Sequence, residues 1–256
     1  MNEAERIILV GLIVLITHCL EGITGFGCTV LALPFVAMLL GLKTAVPVLV
    51  ALAWILAGYI IIRSWRNIRW KEFFFILLYV GIGLPVGIMI FDCFSEFVLK
   101  GILSVFMVFV GIHGFIKTYR SKAELLNGNV QAVSRKTPMM KGILLLGGIV
   151  HGAFGTGGPF VVIYASKALA NKTLFRVTLC LLWFSLNTVM MAKWSIEGKM
   201  WTGEILRNIG FTLPFLIGGM LLGDFLHHKV NEYYFKILVY AVLFASGLVM
   251  GYSTIF

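Results

Sequence analysis

The chain carries two half-copies of one pattern. Gly22-Ile-Thr-Gly25-Phe-Gly27 returns as Gly152-Ala-Phe-Gly155-Thr-Gly157, and each copy breaks a long apolar run near the start of its half. Little else in the sequence limits the possible folds so sharply. An unbroken apolar run can form one helix with every backbone group paired. A glycine-broken run in lipid must bury its freed N–H and C=O groups in protein or turn them toward a wet cavity.

That lipid is the setting follows from composition. Hydrophobic residues make up 60% of the 256, charged residues 12%, and mean hydropathy is +0.98. Soluble domains carry about 25% charged residues, so there is too little polar surface here to cover a water-soluble core. The chain reads as an integral membrane protein, with the bilayer as a partner. Met1 to Arg6 holds one Arg and two Glu with no small-residue cleavage site after them, so no cleaved signal peptide is expected. Paired breaks in the two halves of such a chain point to a midplane binding site of the kind secondary transporters use.

The first apolar run spans 7–40 with the break inside it. At about 1.5 Å per residue each arm is roughly 20 Å, short of a ~30 Å hydrocarbon core, which suggests two half-depth helices. Full spans follow near 44–62, 73–91 and 98–116. Lys117 to Lys141, with Asn127-Gly128-Asn129, Ser134 and Pro138, reads as a surface linker. A second broken run, 142–170, is followed by spans near 174–192, 204–223 and 233–252. The expected fold is an all-α polytopic membrane protein of about eight hydrophobic segments, or ten helices if each broken run counts as two. The expected organisation is a first repeat over 1–117, a cytoplasmic linker over 118–140 and a second repeat over 141–256.

The halves agree beyond the glycines. Lys43-Thr44 matches Lys172-Thr173, Trp54 matches Trp183, and Trp70 and Trp201 open corresponding spans. Gly87 and Asp92 match Gly219 and Asp224, and Lys100 matches Lys236. Their shared order supports a duplication of about 130 residues. The net charge of +10 comes from basic residues in short loops, as the positive-inside rule produces, and no basic domain stands apart to bind nucleic acid. Arg63, Arg66, Arg69 and Lys71 form one cluster, and the linker forms another. If each broken run enters and leaves on one side, the halves are inverted and 15 of the 21 basic residues are cytoplasmic. If the second broken run crosses, the count is 13, so charge favours inversion only slightly.

Several stretches resemble the sulfite exporter TauE/SafE family of membrane transporters. They are GITGFGCTVLALPF (Gly22–Phe35), RSWRNIRW (Arg63–Trp70), HGAFGTGGPFVVIY (His151–Tyr164) and GGMLLGD (Gly218–Asp224). The resemblance covers nearly the whole chain. It implies movement of small sulfur-containing anions, sulfite or organosulfonates, across the bacterial cytoplasmic (inner) membrane. The sequence departs from the family at Cys28, where many members continue the glycine run.

Glycines at such breaks let backbone N–H groups converge on an anion, and a helix starting just beyond adds partial positive charge. The candidate substrate-binding residues are therefore Gly22, Gly25, Phe26, Gly27 and Cys28 in the first half. In the second they are Gly152, Gly155, Thr156, Gly157 and Gly158, with Asn187 in mid-span. The competing reading of the glycines is close helix packing, and Asn187 could equally bond a neighbouring helix. His18, Glu21 and His151 sit beside the breaks at membrane depth. They are candidates for proton coupling, with structural hydrogen bonding as the alternative. No cofactor or metal is expected: His227-His228 lacks convergent ligands and reads as a solvated loop. Cys19, Cys28, Cys93 and Cys180 have no CxxC spacing and read as small hydrophobes. Trp54 and Trp183 fall deep in spans and fit either a cavity wall or packing. Trp65, Trp70, Trp194 and Trp201 read as interfacial anchors, and His113 as a satisfied structural histidine.

The expected function is alternating-access transport of a small anion, not catalysis. No GxxxxGK[ST] motif is present to bind ATP. A passive anion channel is the second reading, and a membrane enzyme the third, without an HExxH, nucleophile elbow or paired-Asp motif. Either a monomer or a homodimer is compatible with the sequence.

Overall fold

The computed structural model describes residues 2–126, 137–169, 171–227 and 232–255. Arg135, Lys136, His228, Lys229, Ser134 and Asn127 to Asn129 lie outside them. The described residues form ten α-helices: α1 (Glu3–Thr24), α2 (Cys28–Leu40), α3 (Leu42–Ser64), α4 (Trp70–Cys93), α5 (Glu96–Leu126), α6 (Pro138–Phe154), α7 (Gly158–Ala168), α8 (Lys172–Ile196), α9 (Gly203–Leu226) and α10 (Glu232–Ile255). No strand occurs among them, and six helices are long and apolar enough to cross a membrane. The protein is an all-α polytopic membrane protein. Large apolar side chains such as Phe74, Ile82 and Met89 on α4, and Phe211 and Leu221 on α9, are exposed on its outer surface, where lipid is the solvent.

Two sequence expectations change. The arm before the first break is not half-depth. Asn2 accepts from the Glu5 backbone N–H while the Glu5 carboxylate accepts from that of Asn2, a capping box. It starts α1 at Glu3, and the 22 residues measure about 33 Å. The arms after the breaks are short, α2 with 13 residues and α7 with 11, about 20 and 17 Å, while α6 before the second break has 17, about 26 Å. Second, α5 continues as helix through Leu126, well into the stretch read as linker.

Each break folds its helix back as a hairpin. After Gly25–Gly27, α2 packs against α1; after Gly155–Gly157, α7 returns along α6, with Gly147 facing Phe160 and Val161. Glycine seams then lock the halves together. Along α4 and α6, a methyl group on Gly87 would lie 2.0 Å from Ile149 O, and one on Gly152 would lie 2.2 Å from Leu84 O. Along α1 and α9, a methyl on Gly22 would lie 3.0 Å from Gly223 Cα. Such close approach, with dispersion and weak polar contacts along the backbones, is how helices associate in lipid.

Helix directions follow from these contacts. Residue numbers rise together along α1 and α9 (Leu15 with Gly219, Cys19 with Gly223), and along α4 and α6 (Val80 with Gly148, Gly87 with Ala153). They run opposite along α3 and α8 (Trp54 with Thr188, Gly58 with Phe184), and along α5 and α10 (Gly111 with Phe244, Gly114 with Tyr240). Ion pairs mark the two ends. One face holds Glu3–Arg207, Lys193–Asp92 and Lys193–Glu197; the other holds Arg63–Asp224 and Arg176–Asp224. Every helix of the first half therefore points opposite to its counterpart in the second. The breaks approach from opposite faces and meet beside Ala53 and Trp183, the middles of α3 and α8.

Candidate anion site at the paired helix breaks

The first break turns through two left-handed glycines, Gly25 (φ 81°) and Gly27 (φ 106°), a conformation that residues with a Cβ rarely adopt. Gly25 N–H donates to Glu21 O and closes α1. The Glu21 side chain then reaches across the turn, and its Oε2 accepts from Cys28 N–H at 2.9 Å. A carboxylate of the protein thus sits on the N-terminus of α2, where the helix dipole and free N–H groups favour an anion.

The second break is built differently. Gly155 is left-handed (φ 66°), but Gly157 is right-handed (φ −64°) and is glycine for space: a methyl there would lie 2.3 Å from Gly147 O. His151 stands where Glu21 stands in the first half. Its Nδ1 accepts from Gly157 N–H at 3.4 Å and its Nε2 lies 3.0 Å from Asn187 Oδ1. The tautomer these bonds select carries its proton on Nε2, a neutral imidazole. No side chain caps α7, and Pro159 in its first turn has no N–H to satisfy. Thr156, 2% exposed, has a hydroxyl with no partner in the protein.

Both breaks open on one small, partly open cavity. The first half lends it Glu21, Gly27, Thr29, Val30 and Ala53; the second lends His151, Gly155, Thr156, Gly158, Trp183 and Asn187. Trp183 ties the breaks together. Its indole N–H donates to Gly25 O at 3.0 Å, and its ring stacks on His151 at 5.3 Å. Asn187 lies one turn further along α8, on the same face. The lining contains neither lysine nor arginine. Arg176, whose backbone packs on Gly25, directs its guanidinium to Asp224 at 2.8 Å.

Of the residues singled out from sequence, Gly27, Gly155, Thr156, Gly158, Asn187, Glu21 and His151 line the cavity. Gly22 and Gly152 lie in the helix seams. Gly25 and Gly157 shape the turns, and Cys28 contributes its backbone N–H to Glu21. Phe26 packs edge-on against Phe175 at 6.1 Å. His18 does not reach the lining; its Nδ1 bonds Val14 O at 2.9 Å. Thr29, Val30 and Ala53 were not legible as lining. Thr29 left one usable signal, a hydroxyl in the first turn after a break.

Trp54 and Trp183 differ despite matching in sequence. Trp54 stacks on Phe184 and donates to Thr188, away from the lining. Two expectations fail on burial. His227 is not solvated but buried, its ring nitrogen 2.6 Å from Ile23 O. Trp194 is not an interfacial anchor; it is 1% exposed and packs against Phe91, whereas Trp65, Trp70 and Trp201 are exposed. Cys19, Cys28 and Cys180 are buried and Cys93 is exposed. His113 is exposed, its ring stacked on Phe109.

The fold and the cavity define a class first: a polytopic helical membrane protein whose helices enclose one cavity lined from both breaks. A sequence model of the family described as Sulfite exporter TauE/SafE matches residues 9–250, nearly the whole chain. The chain belongs to that family, which is a family of membrane transporters. No curated protein and no solved structure matches the chain.

Proposed function

We propose that the chain is a secondary transporter that carries a small sulfur-containing anion, sulfite or an organosulfonate, across the bacterial cytoplasmic membrane by alternating access. The observation that carries this is the second break. It brings an uncapped helix N-terminus, an unpartnered buried hydroxyl and a glycine-lined approach into one cavity at mid-depth. The oppositely directed halves supply the motion, since either half can rock against the other and expose the same site to alternate faces. The face that carries Arg63, Arg66, Arg69, Lys141 and Lys172 is the cytoplasmic one, by the excess of basic residues at its helix ends. Of the three ionisable residues beside the breaks, Glu21 and His151 line the cavity and His18 does not.

The test is sulfite flux into proteoliposomes, with counterflow. Saturable uptake accelerated by sulfite loaded inside is the expected result, and Thr156→Val reduces it. Flux that neither saturates nor shows counterflow identifies a channel and overturns the carrier assignment. No sulfite or organosulfonate flux by correctly folded protein overturns the substrate class.

A further inference from the structure

Sulfur oxyanions carry one or two negative charges, and the cavity holds features that distinguish them. Two helix N-termini face it, each equivalent to about half a positive charge. Neither lysine nor arginine stands in the lining, and the hydrogen bonds of His151 hold its ring neutral. The acidic side chain in the lining is Glu21, whose Oε2 accepts from Cys28 N–H at the start of α2. One of the two positive termini is thus already taken by the protein's own carboxyl group. The start of α7 and the Thr156 hydroxyl are left for the cargo.

We infer that Glu21 is a charge-selectivity residue. Its carboxylate acts as a resident anion at the first break and restricts the cavity to one monoanion, bound at the second break, against dianions of similar size. The inference rests on the anion reading of the cavity. Half a positive charge at α7 goes far toward balancing a sulfonate or hydrogensulfite. A sulfate or sulfite dianion keeps most of its second charge uncompensated, in a low-dielectric site that already contains a carboxylate, where repulsion is weakly screened. The sequence alignment of the halves puts Glu21 opposite His151, so the two breaks are chemically unlike at the one position that sets the charge.

The test uses anions whose charge does not vary near neutral pH. Sulfite flux into proteoliposomes is measured with methanesulfonate, a monoanion, or sulfate, a dianion, as competitor. The expected wild-type result is inhibition by methanesulfonate at a concentration at least about tenfold below that needed for sulfate. Glu21→Gln removes the resident charge and brings the two inhibitory concentrations together, whereas Glu21→Asp keeps the wild-type order. Sulfate competing as well as methanesulfonate in the wild type overturns the inference, even if Glu21→Gln fails to fold. So does a ratio unchanged by Glu21→Gln, or failure of both anions to compete. An absence of sulfite flux in the wild type is a separate result, and it overturns the anion reading itself.

Discussion

The two breaks share a glycine pattern and solve the same backbone problem in different ways. At the first, two left-handed glycines make the turn and the Glu21 carboxylate covers the N-terminus of α2. At the second, one left-handed glycine makes the turn, the counterpart histidine bonds sideways to Asn187, and the start of α7 stays open beside Thr156. Of the two breaks, one has its following helix covered by a carboxyl group and the other leaves that helix uncapped.

Substitutions at matching positions can break this comparison, and the largest effect falls on the turns. A methyl group at Gly25 would lie 2.6 Å from the Arg176 Cα, backbone that cannot move aside, whereas one at Gly155 meets the side chain of Val50 at 2.9 Å. Gly25→Ala is expected to abolish recovery of monodisperse protein. Gly155→Ala is expected to remain folded with stability lowered by about 1–2 kcal/mol, the left-handed backbone strain. Size-exclusion profiles and thermal unfolding in detergent measure both, and equal behaviour contradicts the difference drawn between the turns.

The next effect sharpens the filled-versus-open contrast. Glu21→Ala leaves the Cys28 N–H buried without its acceptor, at a cost of about 1–3 kcal/mol. It also uncovers a helix N-terminus able to bind an anion, so added sulfate is expected to raise the melting temperature of the variant more than that of the wild type. A smaller change is expected at the open break. Thr156→Val removes a hydroxyl that makes no bond within the protein. Stability stays unchanged or rises, while transport affinity falls about tenfold, one lost hydrogen bond. A destabilised Thr156→Val would show that the hydroxyl is structural. Smallest of all is Trp54→Phe, which loses one bond to Thr188 and is expected to cost less than ~1 kcal/mol with transport retained. Trp183→Phe, which unties Gly25 O inside the cavity, is expected to lower transport as well.

Much of this was legible in the sequence. Apolar runs and glycine spacing give ten helices and two breaks, because lipid leaves few ways to satisfy a backbone. The division of labour among the glycines was not. Gly22 and Gly25 look alike in a motif, yet one sits in a seam against Gly223 and the other turns the chain. Local spacing does not say which face a neighbouring helix will cover. The length of α1 was missed because its polar first turn, Glu3 to Arg6, adds no hydropathy while its capping box adds helix. Trp194 and His227 were misjudged for a related reason. Both lie near span ends, where burial depends on which partner, Phe91 or Ile23, packs there.

The most direct measurement is the position of a bound heavy anion. Selenite, a sulfite analogue with an anomalous signal, can be located crystallographically in the full chain. The expected result is one selenium peak in the cavity, against the start of α7 and the Thr156 hydroxyl, with none at Cys28 N–H while Glu21 is present. A peak at the start of α2, or binding confined to sites outside the cavity, would contradict the account.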